Sequence, residues 1–166
     1  MRHIISILLQ NEAGALARVS GMFAARGYNI ESLSVAPTAD DTVSRLTLAA
    51  TGSTAVMEQI VKQLGKMVDV VRVVDYADRD HLECELVLAK VRIKGNSARD
   101  VVECVRRHRG QVLDEADHVR AVQLTGSIAE VDAFLKDLAK VAEIVEVVRT
   151  GGVALERGPT GLEIPA

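Results

Sequence analysis

The chain has 166 residues, 48% hydrophobic and 26% charged, which makes it globular, with room for one medium domain or two small ones, and excludes a disordered chain. The formal net charge of −3 excludes a protein held to nucleic acid by a basic face, and no apolar run reaches the length of a membrane span. Aromatic residues make up only 2% and Trp is absent, so the core has to be built from Val, Leu, Ile and Ala.

Ile5, Ile7 and Leu9 recur at period two and predict a first strand. Met1-Arg2-His3-Ile4-Ile5 enters that strand directly, without the longer apolar region and small-residue cleavage site of a signal peptide, so a cytoplasmic chain is expected. Leu16, Val19 and Phe23 follow at helical spacing, and Gly27 suits the helix end, where a positive φ costs glycine little. Residues 29–36 and 43–51 read as two strands around the turn-rich link Pro37-Thr38-Ala39-Asp40-Asp41. Val56, Ile60 and Leu64 mark a second helix closed by Gly65, and Asp69–Val74 reads as a strand.

The second half repeats this rhythm. Val87, Ala89, Val91 and Ile93 alternate with Lys90, Arg92 and Lys94, as in a half-buried strand. Asn96 or Ser97 can cap a helix whose apolar face holds Val101, Val102 and Val105, with Gly110 at its end. Strands over 111–116 and 119–126 flank an Asp117-His118 turn. Ile128, Val131, Leu135 and Leu138 then stripe a fourth helix, and 144–148 is a last strand. The fold class is therefore α+β, with two tandem ferredoxin-like βαββαβ domains. The expected bounds are 1–76, a charged linker at 77–81, a second domain at 82–150 and a loose tail at 151–166, which has Gly and Pro but no periodicity. One sheet face in each domain is left bare, and self-association into a homodimer is the expected cover.

Little in the chain points to catalysis. His3, His81, His108 and His118 are scattered without metal-ligand spacing and read as surface residues. Glu83 and Glu85 flank Cys84 and read as a solvated strand edge; Asp114, Glu115 and Asp117 read as a solvated turn. Cys84 and Cys104 form no CxxC pair and are too few for an iron–sulfur cluster, so they read as buried, reduced thiols. No nucleophile elbow GxSxG and no P-loop occurs, and the strands lack the aromatics of an RNA-recognition sheet.

The remaining chemical address is Asn11–Leu16, where strand passes to helix. Free N–H groups at a helix start suit a carboxylate, an Asn side chain or backbone carbonyl suits an ammonium, and Gly14 permits close approach to the backbone. A small amino acid with a branched aliphatic side chain meets those needs. Local spacing equally allows Asn11 to be only a helix cap and Gly14 only a tight turn.

The segments Gln10-Asn11-Glu12-Ala13-Gly14-Ala15-Leu16-Ala17-Arg18-Val19 and Arg26-Gly27-Tyr28-Asn29-Ile30-Glu31-Ser32-Leu33-Ser34-Val35-Ala36-Pro37 resemble the ACT domain of the small, regulatory subunit of acetolactate synthase (acetohydroxyacid synthase). Val68-Asp69-Val70, Lys90-Val91, Arg109-Gly110-Gln111 and Ile144-Val145-Glu146-Val147 extend the likeness over nearly the whole chain. The resemblance implies a non-catalytic subunit in branched-chain amino-acid synthesis. It would activate a large catalytic subunit, which holds thiamine diphosphate, Mg²⁺ and FAD, and would confer feedback inhibition by valine or another branched-chain amino acid. It further implies an effector site between two ACT domains: Asn11, Gly14, Ala15 and Leu16 from one copy, Asn29 and Ile30 from a second, with Val35 and Ala36 nearby. The exposed sheet edges and the region around Arg45 and Thr47 are candidate contacts with the catalytic subunit. The alternative reading is a stand-alone amino-acid-binding ACT protein that regulates transcription or transport.

Overall fold

Alternating Ile5, Ile7 and Leu9 place β1 (Arg2–Gln10) inside an antiparallel sheet of order β2-β3-β1-β4, with β2 Ile30–Pro37, β3 Val43–Thr51 and β4 Val70–Asp75. The computed structural model describes residues 1–95 and 97–165, and the chain divides into two units, residues 1–82 with 152–166, and residues 83–151. In the first unit, helices α1 (Ala15–Ala24) and α2 (Thr54–Leu64) cover one sheet face. Ala15, Val19 and Phe23 of α1 and Met57, Ile60 and Leu64 of α2 pack on Ile5, Ile7, Leu9, Leu46 and Leu48. Ser53 accepts from the Val56 N–H and starts α2. After α1, Gly27 takes φ 69° and its N–H donates to the Ala24 carbonyl.

The second unit repeats the order with β5 (His81–Arg92), α3 (Ala98–Arg107), β6 (Gln111–Ala116), β7 (Val119–Gly126), α4 (Ile128–Val141) and β8 (Glu143–Arg149), in a sheet that runs β6-β7-β5-β8. Val87, Ala89, Val91, Val122 and Leu124 face Val101, Cys104, Val105, Val131, Phe134 and Leu138. Cys104 takes the core position expected of Val102, because 101, 104 and 105 share a helix face; Val102 is exposed. Phe134 joins the stripe of α4 as a fully buried residue, beside a partly buried Leu135. A capping box of Ser127 and Glu130 starts α4, and these hydrogen bonds hold the Glu130 carboxyl below its ordinary range. The expected cap Asn96 lies outside the described residues; Ser97 precedes α3, but its hydroxyl donates back to the Lys94 carbonyl.

Several expectations are corrected. Gly110 follows the end of α3 as expected, but the left-handed residue there is Arg109, with φ 59°. Gly110 is needed for a different reason, since a Cβ there would lie 2.7 Å from the Gln123 carbonyl oxygen. Glu85 is not on a solvated edge: it is 4% exposed and accepts from Arg149 Nε and Nη2 at 3.0 and 2.6 Å. His3 is not a surface residue: it is 1% exposed, with Nδ1 2.7 Å from the Asp75 carboxylate. Both are charged or polar residue types buried by a central strand. Cys84 is only half-buried, whereas Cys104 is buried, which pushes its thiol up.

The loose tail expected from residue 151 onward instead contains β9 (Val153–Glu156). In the first unit Ala154 joins Ile4, Val74 and the fully buried Tyr76 in a second small core. Ile4 alternates with Ile5 along β1, so this core lies on the sheet face away from the helices, and that face is not bare. An ion pair and a backbone hydrogen bond secure the tail: Arg79 Nη1 lies 3.1 Å from Glu156, and the Arg157 N–H donates to the Asp80 carbonyl. The expected linker at 77–81 accordingly starts beside a buried Tyr76 and ends at His81, where β5 begins. The region around Arg45 and Thr47, offered as a contact surface, is sheltered, with Thr47 buried and Arg45 half-buried.

Candidate functional site

Helix α1 starts at Gly14, whose φ of 87° is left-handed, and no side chain caps it. Its first turn also lacks an acidic residue, so the positive end of the helix meets neither a neutralising carboxylate nor a capping oxygen of its own. Asn11 therefore does not cap the helix. Its N–H donates to the Thr42 carbonyl at 2.8 Å and its Nδ2 to the Asp41 carbonyl at 2.9 Å, which ties the loop to the β2–β3 turn. The amide oxygen of Asn11 faces no donor among the described residues. Across the turn, Asp40 accepts from the Thr42 hydroxyl and N–H, and its carboxyl is held below the ordinary range.

A second brace holds the same loop from the β4 side. The Gln10 N–H donates to the Asp69 carbonyl at 2.8 Å, and Arg18 donates from Nε and Nη2 to the Asp69 carboxylate, each at 2.6 Å. Hydrogen bonding from Arg18 pushes the Asp69 carboxyl below its usual range and holds the Arg18 guanidinium firmly charged. The left-handed φ of 87° is what favours glycine at residue 14, and a Cβ there would also stand 2.8 Å from Arg18 Nη1.

Beside this loop, on the β2 side, lies a cavity of about 260 Å³. Asn11, Ala15 and Leu16 line it from the loop and helix, and Val35 and Ala36 from β2. Strand register brings them together: Ala36 opposes Arg45 and Pro37 opposes Ser44, while Ser44 in turn opposes Leu9 at the end of β1. Gly14 sits at the helix start without lining the cavity, and Asn29 and Ile30 stand at the opposite end of β2, outside it. Asn29 is exposed, and Ile30 packs on the edge of the core. Leu9, Gln10, Glu12, Pro37 and Ser44 also line the cavity, and the sequence did not mark them as site residues. Only the cross-strand register could have found Ser44. The chemistry gathered here is polar at one end, with Asn11, Glu12 and the uncapped helix start, and apolar at the other, with Leu16, Val35 and Ala36. That suits a small zwitterion with an aliphatic side chain.

Among the described residues no cluster of three or more His, Cys, Asp or Glu is arranged to hold a metal ion, and no helix is long and apolar enough to cross a membrane.

Residues 5–72 match the family described as an AHAS small subunit-like ACT domain, and residues 84–158 match the family described as the small subunit of acetolactate synthase. The chain is 49% identical over 158 residues to the acetolactate synthase isozyme 3 small subunit of Escherichia coli, covering 95% of this chain and 97% of that protein. It is 37% identical to the acetolactate synthase small subunit of Mycobacterium leprae, over 96% of this chain and 94% of the other. Among solved structures, the acetolactate synthase small subunit of Thermotoga maritima superposes with a TM-score of 0.87 at 32% identity, over 96% of this chain and 99% of that one.

Proposed function

The chain belongs to the family of acetolactate synthase small subunits, which are regulatory and not catalytic, and from that premise we propose that it senses valine at the loop between β1 and α1. The observation that carries the reading is the uncapped start of α1, which opens beside a cavity with Asn11 at one side and Ala36 at the other. The ligand carboxylate meets the free N–H of Leu16 and draws the Ala15 N–H from its 3.3 Å bond to the Glu12 carbonyl. Its ammonium meets the free amide oxygen of Asn11 and the carboxylate of Glu12, and its isopropyl group lies on Leu16, Val35 and Ala36.

In this reading the site is completed by a second copy of the chain. β2 is the outer strand of its sheet, and Asn29 stands exposed at its start, so a homodimer joined along β2 brings Asn29 and Ile30 of one copy toward the loop of the other. Valine then favours one dimer arrangement. It alters the catalytic subunit only to the extent that this arrangement binds the catalytic subunit differently, so the coupling is reciprocal. Thiamine diphosphate, Mg²⁺ and FAD belong to that catalytic subunit, and this chain works in the cytoplasm without a cofactor of its own.

Calorimetric titration of the purified chain with valine, leucine, isoleucine and alanine tests the site. Saturable valine binding, clearly stronger than that of alanine and lost in Gly14→Asp, is the expected result. A methylene-scale difference in fit is worth about 1–3 kcal/mol, so the three branched amino acids should differ less from one another than each does from alanine. Full valine binding by Gly14→Asp would remove the loop from the site.

A further inference from the structure

On the other side of the Ala36–Pro37 segment, in the first unit, lies a separate cavity of about 380 Å³. We propose that it is a second ligand site, selective for a short-chain aliphatic carboxylate, with Arg45 as its anchor.

Three observations carry this. First, Arg45 projects from the middle of β3 into the cavity and is half-buried, yet it faces no carboxylate among the described residues. Arg120, likewise half-buried, lies 3.3 Å from Glu115. A sheltered guanidinium without a counter-ion is costly unless an anion or water meets it. Second, the bonds that Arg45 does make all come from one nitrogen. Nη2 donates to the Ala154 carbonyl at 2.7 Å, the Tyr76 hydroxyl at 3.0 Å and Ser6 Oγ at 3.4 Å. These bonds fix the plane of the head and leave Nε and Nη1 without a protein acceptor. The Nε–H and the Nη1 hydrogens diverge, so each can give one charge-assisted hydrogen bond to a carboxylate oxygen. Third, the rest of the lining decides the class of ligand. Ser34 and Thr47 bring hydroxyls, while Leu8, Val153 and Leu162 bring apolar walls. One cation and no second basic group suit a singly charged carboxylate with an apolar tail better than a phosphate dianion.

This site is independent of the valine reading. The two cavities share Ala36 and Pro37 as a wall, but not their charged or polar groups.

The test is calorimetric titration of the full chain with valerate, with pentanol as the tail without the charge and inorganic phosphate as the charge without the tail. Two variants accompany it. Arg45→Met removes the anchor but also the hold on Ala154. Leu162→Glu leaves that hold intact and places a carboxylate in the lining of the cavity, against an incoming anion. The expected result is saturable valerate binding, weakened roughly ten- to a hundred-fold in both variants, as loss of a charge-assisted pair implies, and retained in Gly14→Asp. Pentanol and phosphate should bind more weakly than valerate. The proposal is overturned if valerate does not bind the wild-type chain, or if both variants bind it as the wild type does. It is equally overturned if phosphate binds more tightly than valerate, or if binding is lost in Gly14→Asp but kept in both cavity variants.

Discussion

Replacing Gly14 by alanine separates the conformational role of this residue from its role at the ligand site. The native φ of 87° is one that an L side chain adopts at a cost of roughly 1–2 kcal/mol. The new Cβ would also stand 2.8 Å from Arg18 Nη1. That neighbour is the free end of a flexible side chain, so it swings aside at little steric cost but no longer holds Asp69 squarely. The expected loss is about 1–2 kcal/mol, and in a unit of this size that lowers Tm by roughly 4–15 °C, which differential scanning calorimetry reads directly. Gly27→Ala is the matched control. It meets the same left-handed penalty at φ 69°, with nothing within 4 Å of the added Cβ. Both variants should therefore lose similar stability, but only Gly14→Ala should weaken valine binding, and Gly14→Asp should abolish it while leaving activation of the catalytic subunit largely intact. Equal loss of valine binding in Gly14→Ala and Gly27→Ala would refute the reasoning, because it would make the effect one of stability alone.

Three further outcomes follow from the same geometry. Gly110→Ala should destabilise the second unit by about 1–3 kcal/mol in urea denaturation, because the atom its Cβ meets is the Gln123 backbone carbonyl, which cannot swing away as Arg18 can. Arg149→Met leaves the buried Glu85 unpaired and should cost about 2–3 kcal/mol, below the full range for a buried pair because Arg149 itself is partly exposed; Glu85→Gln with Arg149→Met should recover part of the loss. Asp69, held below its ordinary value by Arg18, stabilises the fold above the unfolded carboxylate value of about 4 and loses that contribution as pH falls through the lower folded value. Urea melts from pH 7 to pH 3 should therefore show a shallower acid decline in Asp69→Asn than in the wild type.

The two βαββαβ units were legible because their core strands alternate and their helices carry strong apolar stripes, as Ile5, Ile7 and Leu9 or Val131 and Leu138 show. β9 was not legible: a four-residue strand that buries only Ala154, a small side chain, leaves no periodic signal. Its partner Tyr76 read as the end of a domain and is in fact fully buried. Glu85 and His3 were misplaced because burial there is dictated by strand position, while the partners Arg149 and Asp75 are 64 and 72 residues away. At the candidate site, the loop residues and Val35–Ala36 were readable, but the brace from Arg18 to Asp69 spans 51 residues and needs the closed sheet to bring β4 beside α1. The role of Gly14 was half visible. Its positive φ follows from the turn, whereas the approach of Arg18 is a tertiary fact.

The most direct test of the central claim is reconstitution with an acetolactate synthase catalytic subunit, following condensation of 2-oxoacids with and without valine. The account predicts that adding this chain raises the rate, that valine then lowers it, and that the chain carrying Gly14→Asp raises the rate without restoring valine inhibition. A rate unchanged by the chain, or raised by it but indifferent to valine in the wild type, would contradict the account.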